Sequence, residues 1–306
     1  MIQQAIKPTS ILDREFNLLI DQPMKDYTSF SIGGPADLMA FPENKFELKN
    51  LLLRACKLDI PVTIVGGGTN LLITDKGIRG LVIMTQQLNS KIKIIDTDSK
   101  TKTFFIGAGV RLSKACRFAI NNSLTGLEFA AGIPGTIGGA IKMNAGTKKS
   151  DMSSVIESIE TLDKTTFEIQ TITRNSLNFS YRHLDLSKII ISAIITLKKG
   201  NQENIEKIFN RNLIKKNTNQ PVSFANAGCF FKNPTTGKAA GELIEKSGLK
   251  GFSIKNAMVS EKHANFIVNI GNARFKDVVL LKQHIQKTVF DKFNVQLEPE
   301  VRIEGE

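Results

Sequence analysis

Three side chains in this chain could do chemistry: Cys229 in NAGCFFKNP (residues 226–234), Arg182 in SYRHLDL (180–186) and Glu300 in LEPEVR (297–302). A thiol, with a reference pKa of about 8.5, gives up a proton far more readily than an aliphatic hydroxyl. A guanidinium is a planar, permanent cation suited to a carboxylate or phosphate. With Glu300 they make a proton donor, a cation and an anion, but their spacing in sequence does not bring them together. Taken singly, Arg182 and Glu300 also fit surface charges. Cys229 also fits a small core residue, a metal ligand or half of a disulfide. The chain has three cysteines, Cys56, Cys116 and Cys229, far apart and with no CxxC pair. Its three histidines, His183, His263 and His284, have no metal-ligand spacing either. No metal site and no disulfide framework are therefore expected. Core residue and proton donor remain.

Two glycine runs suggest close backbone approach to a ligand. GGGTN (Gly66, Gly67, Gly68, Thr69, Asn70) follows the apolar stretch PVTIV and leads into another strand-like stretch, LLIT. It lacks the third glycine and the following helix of a dinucleotide fingerprint, and no GxxxxGK[ST] loop exists. What remains is either an ordinary turn or a nest of backbone N–H groups for a phosphate. GIPGTIGGA (132–140) sets Gly132, Gly135, Gly138 and Gly139 among Ile133, Pro134, Thr136 and Ile137. Glycines there let the backbone approach a flat ligand while the apolar side chains cover it, so a binding site is expected.

Elements must position these groups. Apolar spacing predicts helices over 43–58, over LSKACRFAINNS, over NIEKIFNRNLIKKN, over KAAGELIEKSG and over FKDVVLLKQHIQKTVFDKF. Cys56 and Cys116 fall inside the first two. PVTIV, GLVIMT, KIKIID, TFFIGAGV and IIISAIITL read as strands, as do most of 155–197, the stretch Ala257–Ile270 and VQLEPEVRIEG at the end. Strands dominate the middle and helices flank a smaller sheet late, which predicts α+β rather than a doubly wound sheet.

Composition bounds the partners. A chain of 306 residues exceeds one ordinary core and predicts two or three domains. The longest apolar run, Ile189–Leu197, falls short of the about 20 residues a membrane span needs, so no membrane partner is expected. The N-terminus has no apolar stretch of signal-peptide length, and a cytoplasmic protein is expected. Lys plus Arg exceed Asp plus Glu by 41 to 29, a net charge of +12 that favours anionic partners. The bases are scattered, there is no Trp, and the 19 Phe sit mostly among apolar neighbours. A stacking surface for nucleic acid needs exposed aromatics among bases, so a phosphorylated small molecule is the better partner.

YTSFSIGGPAD, VGGGTNLLI, GLEFAAGIPGTIGGAIKMNAG, SYR, AGCFFKNP, KHANFIVN and LEPEVR, in that order from Tyr27 to Gly305, resemble the UDP-N-acetylenolpyruvoylglucosamine reductase family of peptidoglycan precursor synthesis. The resemblance implies an FAD-binding region of the vanillyl-alcohol-oxidase type and a smaller α+β substrate-binding domain. The implied division is an N-terminal segment 1–30, an FAD-binding region 31–198 in two subdomains split near 86, and a substrate domain 199–306. Its last strand would return to the FAD region. It implies noncovalent FAD, with Gly66–Asn70 on the pyrophosphate and Ile133, Pro134, Gly135, Thr136, Gly138 and Gly139 along the flavin. NADPH would supply the hydride, and the enolpyruvyl ether of a UDP-sugar would take it. By motif, Arg182 polarises the substrate carboxylate, Glu300 shares in stabilising the enol-like intermediate, and Cys229 delivers the proton.

The chain departs from the family in two places. Most members have serine where Cys229 stands, a change that keeps the chemistry and adds an oxidisable or alkylatable group. One branch closes a tyrosine-bearing loop over the substrate, whereas here the only tyrosines, Tyr27 and Tyr181, lie inside other motifs. The chain resembles the branch without that loop. Tyr181, Lys215, Lys216, Lys232 and Asn233 are then candidates for the substrate, with solvated surface as the other reading of Lys215 and Lys216. His263 is either a substrate contact or a structural histidine.

Two other readings compete. An FAD-dependent oxidase of the same fold often binds flavin covalently through histidine, but residues 1–182 contain none. A non-enzymatic nucleic-acid binder rests on net charge alone. The expected partners are thus the UDP-sugar and NADPH, with no nucleic acid and no membrane, and the expected state is a monomer.

Overall fold

The structure, a computed structural model, describes residue 16, residues 18–235 and residues 237–306. Of the expected N-terminal segment 1–30, residues 1–15 and residue 17 lie outside the described residues. The chain divides into two compact units. The first holds Leu38–Gly67 and Gly80–Lys215 with the described residues up to Leu19, and the second holds Ile20–Asp37, Gly68–Arg79 and Lys216–Glu306.

The first unit is built on an antiparallel sheet in the order Ile169–Thr173, Ile156–Leu162, Ile189–Lys199, Thr101–Gly107, Ile92–Thr97. Alternation along these strands buries Phe104, Ile106, Ile159, Ala193 and Ile195 on one face. Helices α1 (Lys45–Lys57), α2 (Leu112–Asn121) and α3 (Ile137–Lys142) belong to the same core. In α2 the buried residues Leu112, Ala115, Cys116, Ala119 and Ile120 recur at helical spacing and make one apolar stripe. Asn44 starts α1 by accepting the N–H groups of Phe46 and Glu47 at 3.0 and 3.1 Å. A parallel pair, Val62–Val65 against Leu81–Met84, ends at GGGTN, and Thr85 N–H donates to the Val65 carbonyl at 2.8 Å.

The basic helix α4 (Gln202–Asn219) runs across the 215/216 boundary. The second unit packs α5 (Ala240–Lys246) and α6 (Phe275–Phe293) with a sheet in the order Ala225–Asn226, Ile267–Asn269, Ala257–Val259, Ser253–Ile254. Val278, Leu281, Ile285 and Val289 bury one stripe of α6 in a core with Phe30, Ile32, Leu72, Phe230 and Phe231. Only Arg302–Glu304 of the last stretch is strand, and it pairs in parallel with Leu71–Ile73.

Candidate active site

In the first unit the two glycine runs meet. A Cβ on Gly67 would stand 2.8 Å from the Gly135 Cα, and one on Gly66 3.2 Å from the Thr136 hydroxyl oxygen. Only backbone fits at that approach. The loop around Gly135 is fixed by a ladder to the segment after Gly107. Leu112 N–H donates to Gly135, Ile137 N–H to Val110 and Gly138 N–H to Ala108, at 3.0, 2.8 and 2.9 Å. Thr136 then caps α3, its hydroxyl accepting the Gly139 N–H at 3.4 Å. The helix was not legible in the sequence, because glycines at 138 and 139 argue against one. The cap and the ladder supply what propensity lacks.

GGGTN continues into the second unit. Gly68, with φ +65°, lies against the Tyr27 carbonyl, where a Cβ would come within 2.0 Å, and its own carbonyl accepts the Ser29 N–H at 3.0 Å. Among the described residues, the N–H groups of Gly67, Gly68 and Thr69 donate to no protein acceptor. Successive undirected N–H groups beside a glycine cradle fit a pyrophosphate, so the residues present suit FAD.

Cys229 and Glu300 come together in the second unit. Phe230 N–H donates to the Asn265 carbonyl at 2.7 Å, and Glu300 N–H donates to the Phe230 carbonyl at 2.8 Å. Phe231 and Pro299 form an isolated antiparallel bridge, and Lys232 N–H donates to Glu298 at 2.8 Å. The cysteine is half-buried, preceded by Gly228 at φ +84°, whose N–H is taken by the Asn226 side chain at 2.9 Å. Both rings that follow it are buried, 2% and 1% exposed, which fixes this backbone in the core. Asn70 joins the two motifs: its side-chain amide donates to the Glu300 carbonyl at 3.1 Å, and its carbonyl accepts the Arg302 N–H at 3.1 Å.

The hub of this site is Asn265, which sequence reasoning passed over. Its side chain accepts the Phe231 N–H and donates to the Phe231 carbonyl, at 3.0 and 2.8 Å. The signal was its place in KHANFIVN, where a polar residue stands between Ala264 and the apolar run Phe266, Ile267 and Val268. His263 accepts the Asn265 N–H on Nδ1 at 3.2 Å, which leaves the proton of the neutral ring on Nε2. Burial pushes its pKa down, and the nearby Lys250 charge acts in the same direction. A Cβ on Gly241 would come within 3.1 Å of this ring, so His263 also fills the space beside α5.

The other candidates are dispersed. Lys232 pairs with Glu298 at 2.5 Å on the surface, and Asn233 accepts the Ala240 N–H at 3.0 Å at the start of α5. Lys215 and Lys216 sit on α4, Lys215 exposed and Lys216 half-buried. Arg182 belongs to the first unit, at the tip of a hairpin beside Tyr181, its guanidinium 5.1 Å from the ring centre. Grooves of about 430 Å³ in the first unit and about 490 Å³ in the second are lined by none of these residues. Chemistry and local geometry, rather than cavity size, mark the site.

Comparisons with known proteins agree on one family. Residues 36–170 match the FAD binding domain family, and residues 220–304 match the UDP-N-acetylenolpyruvoylglucosamine reductase, C-terminal domain. The chain is 45% identical to the UDP-N-acetylenolpyruvoylglucosamine reductase of Caldanaerobacter subterraneus, covering 96% of this chain and 95% of that one. It is 41% identical to the Clostridium kluyveri protein of the same name, over 99% and 97% of the two chains. The crystal structure of UDP-N-acetylenolpyruvylglucosamine reductase from Thermus caldophilus superposes with a TM-score of 0.79 at 33% identity, covering 94% of this chain and 99% of that one.

Proposed function

Because the chain belongs to the UDP-N-acetylenolpyruvoylglucosamine reductase family, we propose that it reduces UDP-N-acetylglucosamine enolpyruvate to UDP-N-acetylmuramate with NADPH, a step of peptidoglycan precursor synthesis. The observation that carries this reading is the contact of Gly67 with Gly135, a meeting of bare backbones beside free N–H groups. Bound there, FAD supplies the hydride relay from NADPH to the substrate. The N–H groups of Gly66–Asn70 would hold its pyrophosphate, and Ile133–Gly139 would line its ring without a covalent bond.

The remaining work falls to side chains. Arg182 binds the enolpyruvyl carboxylate with its guanidinium fork, which draws electron density out of the double bond. Hydride then enters at the terminal methylene carbon and charge builds on the carboxylate oxygens. Arg182 stabilises that charge as it forms, and Glu300 shares in holding the enol-like intermediate. Cys229 gives its thiol proton to the adjacent carbon, completing the lactyl ether. Lys215, Lys216, Lys232 and Asn233 are the candidates for the diphosphate, with Tyr181 and His263 as further substrate contacts. The protein works as a cytoplasmic monomer.

The test is stoichiometric. The purified protein should be yellow, and each NADPH oxidised should yield one UDP-N-acetylmuramate, two hydrogens heavier than the substrate. Reduction of the flavin by an alcohol or sugar, with oxygen as acceptor and no action on the enolpyruvyl ether, would favour the oxidase reading instead.

A further inference from the structure

The hairpin that carries Arg182 is gripped on both strands by the end of one short helix. Phe179–Ser180 pairs antiparallel with His183–Leu184, so Tyr181 and Arg182 form the two-residue tip. Arg182 adopts φ +58°, a left-handed conformation that a residue with a Cβ disfavours. Such a conformation persists where the surroundings over-determine it. Here the surroundings are α3 and the turn after it. Asn144 Nδ2 donates to the Ser180 carbonyl at 3.0 Å, on the incoming strand. Lys142 Nζ donates to the Leu184 and Leu186 carbonyls at 3.0 and 2.6 Å, on the outgoing one. Asn144 is anchored in turn, accepting the Ser153 N–H and donating to the Asp151 carboxylate, each at 3.1 Å.

An ammonium offers three donors and no acceptor, and charge strengthens each bond it makes to a carbonyl. The outgoing strand is thus tied by the stronger pair. The other end of α3 is the Thr136 cap, inside the loop that lines the flavin in the proposed function. Six residues of helix span about 9 Å. One rigid piece therefore carries the flavin loop at its start and the Arg182 hairpin at its end.

We propose that Lys142 is a positioning residue for the reduction: its ammonium holds the hairpin so that Arg182 presents the substrate carboxylate at a fixed distance from the flavin. The proposal rests on the reading of Arg182 as the carboxylate ligand. Lys142 itself touches neither hydride nor substrate in this account. Asn144 cannot replace it, because its hydrogen bond to the hairpin reaches only the incoming strand.

The experiment separates the two half-reactions in Lys142→Met, which keeps the stem and deletes the donors, and in Lys142→Arg, which keeps donors. Lys142→Met should retain FAD and be bleached by NADPH at the wild-type rate, while anaerobic reoxidation by UDP-N-acetylglucosamine enolpyruvate slows about 10²-fold, the effect of misplacing a reacting group by about 1 Å. Lys142→Arg should recover most of that loss. In an Arg182→Ala background, adding Lys142→Met should slow reoxidation no further. If Lys142→Met loses its flavin, Lys142→Gln gives the same comparison. Reoxidation at the wild-type rate, or an equal loss with and without Arg182, overturns the proposal. An Arg182→Ala variant that reoxidises normally is a different outcome, since it removes Arg182 from the site and the positioning role with it.

Discussion

Cys116 lies on the buried stripe of α2, where burial pushes its thiol up to about 12, with the Glu128 charge adding to the shift. Cys56 is exposed on α1, and Cys229 is half-buried between Gly228 and the Phe230–Phe231 pair. Alkylation of the native protein will therefore modify Cys56 as well as Cys229, and the informative background is Cys56→Ser. In it, a maleimide should inactivate the enzyme with UDP-sugar giving protection, while Cys116 stays unmodified at neutral pH. Cys229→Ala should leave bleaching by NADPH intact and slow reoxidation by about 10²–10⁴-fold, the loss of a general acid. Cys229→Ser should keep much of the rate. Reoxidation of Cys229→Ala at the wild-type rate would assign the proton to water or another group. The spacing of the cysteines and histidines removed the metal and disulfide alternatives for this cysteine, and its match to the family motif marked it as the proton donor. The partner of Asn265 was not legible in the sequence, because its side chain hydrogen-bonds a backbone 34 residues away.

At the scale of elements, long periodic stretches declared themselves and short ones did not. α6 spans Phe275–Phe293, the stretch its apolar spacing predicts, and IIISAIITL lies within the central strand Ile189–Lys199. α3 escaped notice because two glycines weaken its propensity, and tertiary bonds from 108–112 override that weakness. The meeting of GGGTN with the Gly135 loop was equally hidden, since the two runs lie far apart in sequence. The contact makes a sharp prediction. Gly67→Val pushes a branched side chain into the Gly135 backbone, 2.8 Å from where its Cβ would stand. The variant should purify colourless or flavin-poor, by absorbance of the denatured supernatant. A full complement of FAD would remove this contact from the cofactor site.

At the scale of the molecule, the sequence conveyed the α+β class and the two matched regions, 36–170 and 220–304, fall in that order. It did not convey how the chain is shared out. The second unit takes Ile20–Asp37 and Gly68–Arg79 from the first third of the chain, where the Ser29 hydroxyl donates to the Asn226 carbonyl and the Asn70 amide to the Glu300 carbonyl. The net charge of +12 suits a protein whose substrate and hydride donor are both polyanions. Sedimentation should give a single species near the chain mass of 33.7 kDa, recovered from the cytosolic fraction, and a dimer mass would contradict the monomer. The central claim, that flavin reduced by NADPH passes its hydride to the enolpyruvyl ether, is tested most directly by one anaerobic mixing experiment. Protein bleached with one equivalent of NADPH is mixed with UDP-N-acetylglucosamine enolpyruvate, and the flavin absorbance is followed. Its return within the turnover time, with one UDP-N-acetylmuramate formed per flavin, is the predicted result; flavin that stays bleached until oxygen is admitted contradicts the account.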